Sequence, residues 1–328
     1  MDRENWHVVG HDWAVHSLQE AVRSDELSHA YLFTGPPGVG KTTVARALAA
    51  ALLCPEPDPP CGTCRACRLV AEGTHPDLSV LESEHVGANL KIDQVRELEH
   101  QLVLTPVEAA WRVAILHRFQ EATTSAANAL LKTLEEPPSY VVLIILADDA
   151  DHLLPTIVSR CQLVPLRPLP IARVERALVE EWQAEPDRAA LLAHLSGGRL
   201  GWAVRMLKDE SSLVHRAQRL DELDELLGAS TVERFRYAER LARKPVDTQR
   251  TLDLWMSWWR DVMLVSAEAE AALTNVDLQR QVRDHACRFG VARSAGMISA
   301  LREASDRLSA NANARLTLEV LMLDLPQA

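Results

Sequence analysis

A glycine-rich segment reads Gly35-Pro36-Pro37-Gly38-Val39-Gly40-Lys41-Thr42, and it fits the pattern G-x-x-x-x-G-K-[ST] of a phosphate-binding loop. The segment follows an apolar run typical of a buried strand and opens a stretch with helical periodicity. In such a loop the backbone N–H groups surround phosphate oxygens, the lysine adds positive charge and the threonine hydroxyl can bind Mg²⁺. A loop of this form could also bind nucleotide without hydrolysing it. We therefore predict a site for ATP or ADP, with Mg²⁺ at Thr42, formed by Gly35, Pro36, Pro37, Gly38, Val39, Gly40, Lys41, Thr42 and Thr43.

Apolar runs and helical patterns alternate around this loop up to about residue 165. The alternation predicts parallel βαβ units and therefore an α/β domain. The predicted strands are Ala30–Thr34, Leu78–Glu82, Arg112–Leu116, Val141–Ala147 and Gln162–Pro165. The predicted helices between them are Lys41–Leu53, Ile92–Val103 and Ser125–Glu135.

Strand patterns stop near Pro168, and the rest of the chain reads as helices only. Pro168 and Pro170 indicate a linker. Short helices are predicted at Ile171–Trp182, Asp187–Leu195 and Leu200–Lys208, and apolar residues at three- and four-residue spacing predict a helical bundle beyond them. We predict an α/β domain over residues 1–167, a small helical domain over 168–210 and an all-α bundle over 211–328.

The composition is that of a folded protein with a modest negative charge. The 328 residues include 35 Lys and Arg against 46 Asp and Glu, a formal charge of −11, and 47% are hydrophobic. These values exclude wholesale disorder, and the acidic total argues against sequence-independent coating of nucleic acid. The longest apolar run, Val141–Ala147, is too short to span a membrane, and the first six residues lack the pattern of a secretory signal. We therefore predict a cytoplasmic protein with no membrane contact.

Four of the six cysteines are clustered, with the spacing C-x6-C-x2-C-x2-C. In a reducing compartment, four close thiolates are typical of a zinc site, and a complete set leaves no open position for water. We therefore predict a structural Zn²⁺ site formed by Cys54, Cys61, Cys64 and Cys67. Cys161 and Cys287 are isolated, and we predict that both are core residues.

Several segments together resemble one family, the clamp-loader subunits of bacterial DNA polymerase III within the AAA+ ATPases. The segments are Ser28–Phe33 before the loop, Cys61–Cys67, His75–Asp77, Ala127–Pro138 and Leu154–Cys161. The resemblance covers roughly residues 6 to 205. It implies a RecA-like AAA+ base domain that carries the zinc module, a three-helix lid, and a C-terminal helical collar that joins five subunits into a ring.

Two departures favour the delta-prime branch of this family over the ATP-hydrolysing gamma/tau branch. Hydrolysis needs an Asp and a Glu at the end of the strand beside the loop, and the matching positions are His117 and Arg118. The nearest acid, Glu121, lies in a predicted turn beyond the strand. In the lid, Gly201 occupies the position of an arginine that reaches the γ-phosphate in active members, and Arg199, two residues away, would face elsewhere if the helix has begun there.

The tripeptide Ser159-Arg160-Cys161 is retained. The resemblance implies that Arg160 acts in trans, where it stabilises charge on the phosphoryl group transferred in a neighbouring subunit. It also implies a hetero-pentamer with gamma/tau and delta subunits that helps to assemble the sliding clamp on primed DNA, in the cytoplasm at the bacterial nucleoid. Two alternatives stay open: a gamma/tau-like ATPase in which another acid replaces His117, and a small-molecule P-loop kinase.

Three weaker patterns lie outside these motifs. Lys91 and Arg96 belong to a helix start that faces DNA in family members, so they could contact phosphate. Asp148 lies near the family's polar sensor position. Three aromatic residues share one helix face, which is more typical of a bundle core or subunit contact than of a ligand site. They are Trp255, Trp258 and Trp259.

Overall fold

The computed structural model describes residues 6–310 and 312–327, and these residues form fourteen α-helices and five β-strands. Residues 1–5, where we predicted no secretory signal, lie outside the described part. The chain divides into two compact units: the first runs to Arg173 and adds Gly198–Trp202, and the second comprises Val174–Gly197 and the residues from Ala203 onward. The division into three domains at residues 167 and 210 stays a prediction. Among the described residues, no helix is long and apolar enough to cross a membrane.

The first unit is built on a five-stranded parallel sheet with the order β2-β3-β4-β1-β5. The strands are β1 (Ala30–Thr34), β2 (Leu78–Leu81), β3 (Arg112–Leu116), β4 (Val141–Ala147) and β5 (Gln162–Pro165). Every residue of β1, β3 and β4 is buried, which explains why these strands read as continuous apolar runs. The five predicted strands are confirmed, with β2 one residue shorter than predicted.

Helices cover both faces of this sheet and enclose two separate cores. The helices are α1 (Asp12–Ser24), α2 (Lys41–Leu53), α3 (Arg65–Glu72), α4 (Ile92–Val103), α5 (Thr124–Glu135) and α6 (Pro155–Val158). One core contains side chains from α1, α2 and α3, and the other contains side chains from α4, α5 and α6. The unit is therefore a three-layer α/β structure whose strands all direct their carboxyl ends to one edge.

A buried carboxylate fastens the segment that leads into β3. Asp77 is fully buried, and it accepts hydrogen bonds from the backbone N–H groups of Val107, Glu108 and Ala109 at 2.6, 2.8 and 2.9 Å. Burial raises the pKa of Asp77, but the three N–H donors together outweigh burial and hold the pKa below its usual value. The ionised form therefore stabilises this part of the fold.

We expect Asp77→Asn to lower the free energy of unfolding by about 1–3 kcal/mol at pH 7, because the carboxamide cannot satisfy three N–H donors. Since the folded pKa lies below the unfolded one, the contribution of Asp77 is present above the unfolded pKa and is lost as the pH falls through the folded pKa. Urea unfolding of both proteins between pH 7 and pH 3 measures this. A stability difference that stays constant over the range, or an equal effect of the exposed control Asp151→Asn, would contradict the assignment.

The second unit is helical. Its helices are α7 (Ile171–Trp182), α8 (Pro186–Ser196), α9 (Leu200–Lys208), α10 (Glu210–Gly228), α11 (Thr231–Ala242), α12 (Pro245–Ser266), α13 (Gln279–Ser309) and α14 (Ala314–Asp324), with the first residues of α7 and α9 in the first unit.

The side chains of Trp255, Trp258 and Trp259 are buried among α10 to α14, so their assignment to the bundle core is confirmed. Cys161 packs against the first unit's core, whereas Cys287 is exposed on α13, so the prediction of a core position was wrong for Cys287.

A buried arginine joins two helix ends in this unit. Arg234 on α11 is 4% exposed, and its five N–H groups all donate to backbone carbonyls. The acceptors are Leu226, Leu227, Met322, Leu325 and Pro326, at 2.7 to 3.2 Å. These carbonyls belong to the last turns of α10 and α14 and the residues that follow. Because each helix C-terminus carries partial negative charge, the two ends together balance the guanidinium without a carboxylate.

Candidate nucleotide and metal sites

The predicted phosphate loop lies at the carboxyl end of β1 and ends at Gly40, directly before α2. Gly35 has a φ of 143°, and a Cβ there would collide with the carbonyl oxygen of Leu166, so only glycine fits this position. Backbone N–H groups at the start of α2 are free of intrahelical partners, as phosphate binding requires. The structure thus forms the loop where the sequence placed it, while nucleotide binding itself stays a prediction.

Two contacts from distant parts of the first unit hold the loop carbonyls. His11 Nε2 lies 3.0 Å from Val39 O, and the N–H of Gly201 donates to Gly38 O at 2.8 Å. Burial lowers the pKa of His11, so its ring is neutral at pH 7. No local sequence pattern indicated His11, because its contact spans 28 positions and involves a backbone atom.

Gly201 has a second consequence for the loop. A Cβ at this position would lie 3.0 Å from Gly38 O, so glycine allows the close approach of the two backbones. Arg199 stands over the ring of Trp202, with its guanidinium carbon 5.7 Å from the ring centroid. Because α9 begins at Leu200, Arg199 lies before the helix, and the expectation that it faces away from the loop stays a prediction.

The ammonium group of Lys41 is surrounded by acceptors. It donates to the carbonyl oxygen of Gly35 and to Asp148 Oδ1, the latter at 2.7 Å. The other carboxylate oxygen of Asp148 accepts a hydrogen bond from Gln120 Nε2 at 2.9 Å. Asp148 follows β4, which lies beside β1 in the sheet, and this strand order brings the two side chains together.

The two positions that follow β3 carry no carboxylate. His117 is half-buried, and this burial lowers its pKa, so the ring is neutral at pH 7. Arg118 adopts a left-handed backbone conformation with a φ of 46°. Its guanidinium donates to Glu121 Oε2 at 3.0 Å and to Ser83 Oγ at 2.9 Å, with Glu82 Oε2 at 3.4 Å.

The nearest acid to this position has structural partners. Glu121 accepts hydrogen bonds from the hydroxyl of Ser83, from Arg118 and from the backbone N–H of Gly87, the last at 2.9 Å. Both carboxylate oxygens are thus used in holding the segment between β2 and α4. The sequence named Glu121 as the nearest acid but offered no sign of this network, since Ser83 and Gly87 lie 38 and 34 positions from Glu121.

Arg160 follows α6 and is half-exposed. It donates to Thr156 O at 2.9 Å and to Glu135 Oε1 at 2.7 Å, and its side chain is 34% exposed. The guanidinium is therefore directed along the end of α5 by a single carboxylate and remains open to solvent. Lys91 and Arg96, on the start of α4, are both exposed.

The four clustered cysteines come together in space. Their sulfur atoms all lie within 4.8 Å of one another, with 3.9 Å between Cys54 and Cys64 and 4.0 Å between Cys61 and Cys67. A regular tetrahedron with Zn–S bonds of about 2.3 Å has sulfur–sulfur edges of about 3.8 Å. The spacing therefore fits one tetrahedral Zn²⁺ ion.

Backbone N–H groups also donate hydrogen bonds to two sulfur atoms of this cluster. The N–H of Cys64 donates to the sulfur of Cys61 at 3.3 Å, and the N–H of Cys67 donates to the sulfur of Cys64 at 3.4 Å. The first of these bonds helps to lower the pKa of the Cys61 thiol to about 6, whereas burial raises the pKa of Cys54 and of Cys67. A thiolate set of this kind would fix the loop to the start of α3, with no position for a reacting ligand.

We expect one zinc ion per chain, and we expect Cys67→Ser to abolish stoichiometric binding and to lower the free energy of unfolding by at least about 2 kcal/mol. Metal analysis by mass spectrometry and thermal unfolding with and without a chelator measure both effects. Cys287→Ser is the matched control, since Cys287 is exposed and distant in sequence. Equal zinc content in Cys67→Ser and the control would rule out the four-cysteine site.

Comparisons with known proteins agree with these features. The family described as "DNA polymerase III, delta subunit" matches residues 10–170. DNA polymerase III subunit delta' of Bacillus subtilis is 30% identical over 315 residues, which cover 94% of this chain and 94% of that protein. The delta' subunit of Pseudomonas aeruginosa is 42% identical over 209 residues, 61% of this chain and 62% of that protein. A gamma/tau subunit of Mycobacterium tuberculosis is 37% identical over 174 residues, but these cover only 52% of this chain and 30% of that protein.

The strand order β2-β3-β4-β1-β5 and the phosphate-loop sequence after β1 define the class, a P-loop α/β fold. Within this class, 30% identity to the Bacillus subtilis protein over 94% of both chains identifies the family. The chain belongs to the family of DNA polymerase III delta' subunits, and it is therefore a clamp-loader-related subunit.

Proposed function

We propose that this chain is a clamp-loader subunit that binds nucleotide without hydrolysing it and donates Arg160 to the ATP site of an adjacent subunit. In this way it helps to assemble the sliding clamp on primed DNA. The observation that carries the proposal is the end of β3, where His117 and Arg118 stand in place of an acidic pair and Arg118 is bound to Glu121.

Hydrolysis requires a group that orients the attacking water and a carboxylate near the metal. A neutral His117 and a cationic Arg118 supply neither group, and Glu121 already accepts three hydrogen bonds. Loss of a positioned general base alone costs about 10²- to 10⁴-fold in rate. Bound nucleotide would instead stabilise the first unit, since a ligand that binds only the folded state raises its stability.

The geometry around Arg160 supports a role in trans. The residue follows a short helix, and one carboxylate, Glu135, holds the guanidinium while a third of the side chain stays exposed. A group that acts on a neighbour's phosphate must be presented at the surface and must exchange its local partner for the phosphoryl oxygens. A surface ion pair is weak enough to permit that exchange.

The remaining assignments complete the proposal. Zn²⁺ at Cys54, Cys61, Cys64 and Cys67 is structural, and Mg²⁺ accompanies the nucleotide at Thr42. The partners are gamma/tau and delta subunits in a hetero-pentamer, the clamp, and primed DNA, which Lys91 and Arg96 contact within the complex. The helices beyond residue 210 form the collar that joins the subunits, and residues 168–210 form the lid.

A gamma/tau-like ATPase is the second candidate, because the phosphate loop is intact and the chain is 37% identical to a gamma/tau subunit over 174 residues. The test that separates the two is ATP turnover by a reconstituted loader in which this chain carries Arg160→Ala or Lys41→Ala. Loss with Arg160→Ala alone supports the proposal, and loss with both variants favours the ATPase.

A further inference from the structure

We propose that Asp148 is an internal counter-ion that competes with phosphate for Lys41, so that the loop accepts nucleotide mainly as its Mg²⁺ complex. This inference rests on the proposed nucleotide binding and concerns the regulation of that same site. The geometry that carries it is the contact between the loop lysine and the carboxylate of Asp148, the residue that directly follows β4.

The backbone fixes Asp148 beside the loop. The N–H of Gly35, the first residue of the loop, donates to the carbonyl oxygen of Asp148 at 3.1 Å. Asp148 directly follows β4, and β4 pairs with β1 in parallel register up to Thr34 and Ala147. The position of the carboxylate is therefore set by the sheet and not by a mobile side chain alone.

Both carboxylate oxygens of Asp148 are used. One lies 2.7 Å from Lys41 Nζ, and the other accepts from Gln120 Nε2 at 2.9 Å. The side chain of Lys41 is only 12% exposed, and that of Asp148 is 37% exposed. Because water screens this pair less than it screens a surface pair, its Coulomb attraction is stronger than that of an exposed ion pair.

A phosphate group must displace this carboxylate before it can use the lysine. The loop lysine supplies the charge that neutralises the terminal phosphates, and here it begins with a partner of the same charge sign as phosphate. The apparent affinity falls by the fraction of molecules in which Lys41 is available, so pairing in about 90% of molecules weakens binding about tenfold.

Binding of Mg²⁺ to the nucleotide changes how strongly Asp148 opposes nucleotide binding. After displacement, the carboxylate of Asp148 stays near the phosphates, and two like charges at short range repel each other. A nucleotide that carries Mg²⁺ has less negative charge and is repelled less. Asp148 therefore penalises free nucleotide more than it penalises the Mg²⁺ complex.

The experiment is calorimetric titration of the full chain with ADP, in excess Mg²⁺ and in a chelator. We expect Asp148→Asn to tighten binding of Mg²⁺-ADP about tenfold, because Lys41 is released, and binding of Mg²⁺-free ADP about threefold more than that, because the like-charge repulsion is also removed. Asparagine is nearly isosteric and can still accept from Gln120. Asp148→Ala should also tighten ADP binding. This second variant shows that the effect comes from loss of the carboxylate and not from the carboxamide that Asp148→Asn introduces.

The matched control is Asp149→Asn, which changes the same charge one position away on an exposed residue whose carboxylate accepts from its own loop. We expect less than about a twofold change, because exposed charges are screened. Equal tightening by the two variants, or no tightening by Asp148→Asn, overturns the counter-ion role.

Lys41→Ala separates this inference from the proposed function. If the unaltered chain binds ADP and Lys41→Ala does not, nucleotide binding stands whatever Asp148→Asn does. If the unaltered chain fails to bind but Asp148→Asn binds, the counter-ion role stands and nucleotide binding by the natural chain fails. If neither the unaltered chain nor Asp148→Asn binds ADP, the carboxylate of Asp148 is not what prevents the loop from binding nucleotide, and the inference is wrong.

Discussion

We expect Arg160→Ala to lower ATP turnover at the adjacent subunit's site by about 10³-fold or more, the range found for arginine fingers in other NTPases. The physical reason is that, in the proposed trans role, the guanidinium would neutralise charge that develops on the transferring phosphoryl group, in a site where water is largely excluded. The substitution should leave this chain's own nucleotide binding unchanged, since Arg160 contacts Thr156 and Glu135 and no residue of the phosphate loop.

The measurement is clamp- and DNA-stimulated turnover by a reconstituted loader in which only this chain and the adjacent subunit keep their loop lysines, so that the rate reports the adjacent site when this chain does not hydrolyse ATP. Arg167→Ala is the matched control, because Arg167 is also exposed and lies seven positions further along the chain. We expect the control to retain its rate within about twofold, since isolated surface charges contribute little.

The loop variant completes the comparison. In this loader Lys41→Ala should leave the rate unaltered if the chain acts only through Arg160. Loss of turnover with both variants would show that nucleotide in this chain's loop also matters, and it would favour the interpretation that this chain is a gamma/tau-like ATPase. If neither variant slows turnover, the trans role of Arg160 is wrong, and only the family assignment remains.

We expect Arg234→Met to destabilise the helical bundle by about 3–5 kcal/mol. The substitution removes the guanidinium from five carbonyl oxygens, of which that of Leu226 keeps a hydrogen bond from the N–H of Ala229. An unsatisfied buried polar group costs about 1–3 kcal/mol. The total is smaller than the sum, because the ends of α10 and α14 can relax and recover part of the loss with water. Arg234→Lys keeps the charge but offers three donors in place of five, so we expect an intermediate loss.

Urea unfolding followed by tryptophan fluorescence measures this, since Trp255, Trp258 and Trp259 lie in the same core as the helix that carries Arg234. The matched control is Arg243→Met, an arginine with a 73% exposed side chain paired with Glu239. We expect a change within about 0.5 kcal/mol for this control. Equal effects of the two methionine variants would show that the buried hydrogen bonds of Arg234 contribute little.

The parts of this protein that could be predicted from sequence are those with local signals. The phosphate loop, the five strands and the cysteine cluster each rest on residue types at short spacing, and the structure forms the strands and brings the cysteines together. The apolar runs of β1, β3 and β4 were readable because both of their faces are buried.

The parts that could not be predicted depend on contacts between distant positions. His11 and Val39 are 28 positions apart, Lys41 and Asp148 are 107 apart, and Arg234 reaches acceptors up to 92 positions away. Each contact involves a polar side chain whose partner is a backbone atom or, for Lys41, a side chain that follows a strand. No local pattern encodes such a pair, because it exists only once the sheet or the bundle has formed.

The strand order also sets when the phosphate loop can form during synthesis. Among the described strands, β1 pairs only with β4 and β5, which begin at Val141 and Gln162. The ribosome must therefore add about a hundred residues after Thr34 before β1 has a neighbour, which takes roughly 5–20 s at ordinary translation rates. Every residue of β1 is buried in the finished sheet. The nascent chain thus presents an apolar strand to chaperones before it can present a phosphate loop to nucleotide.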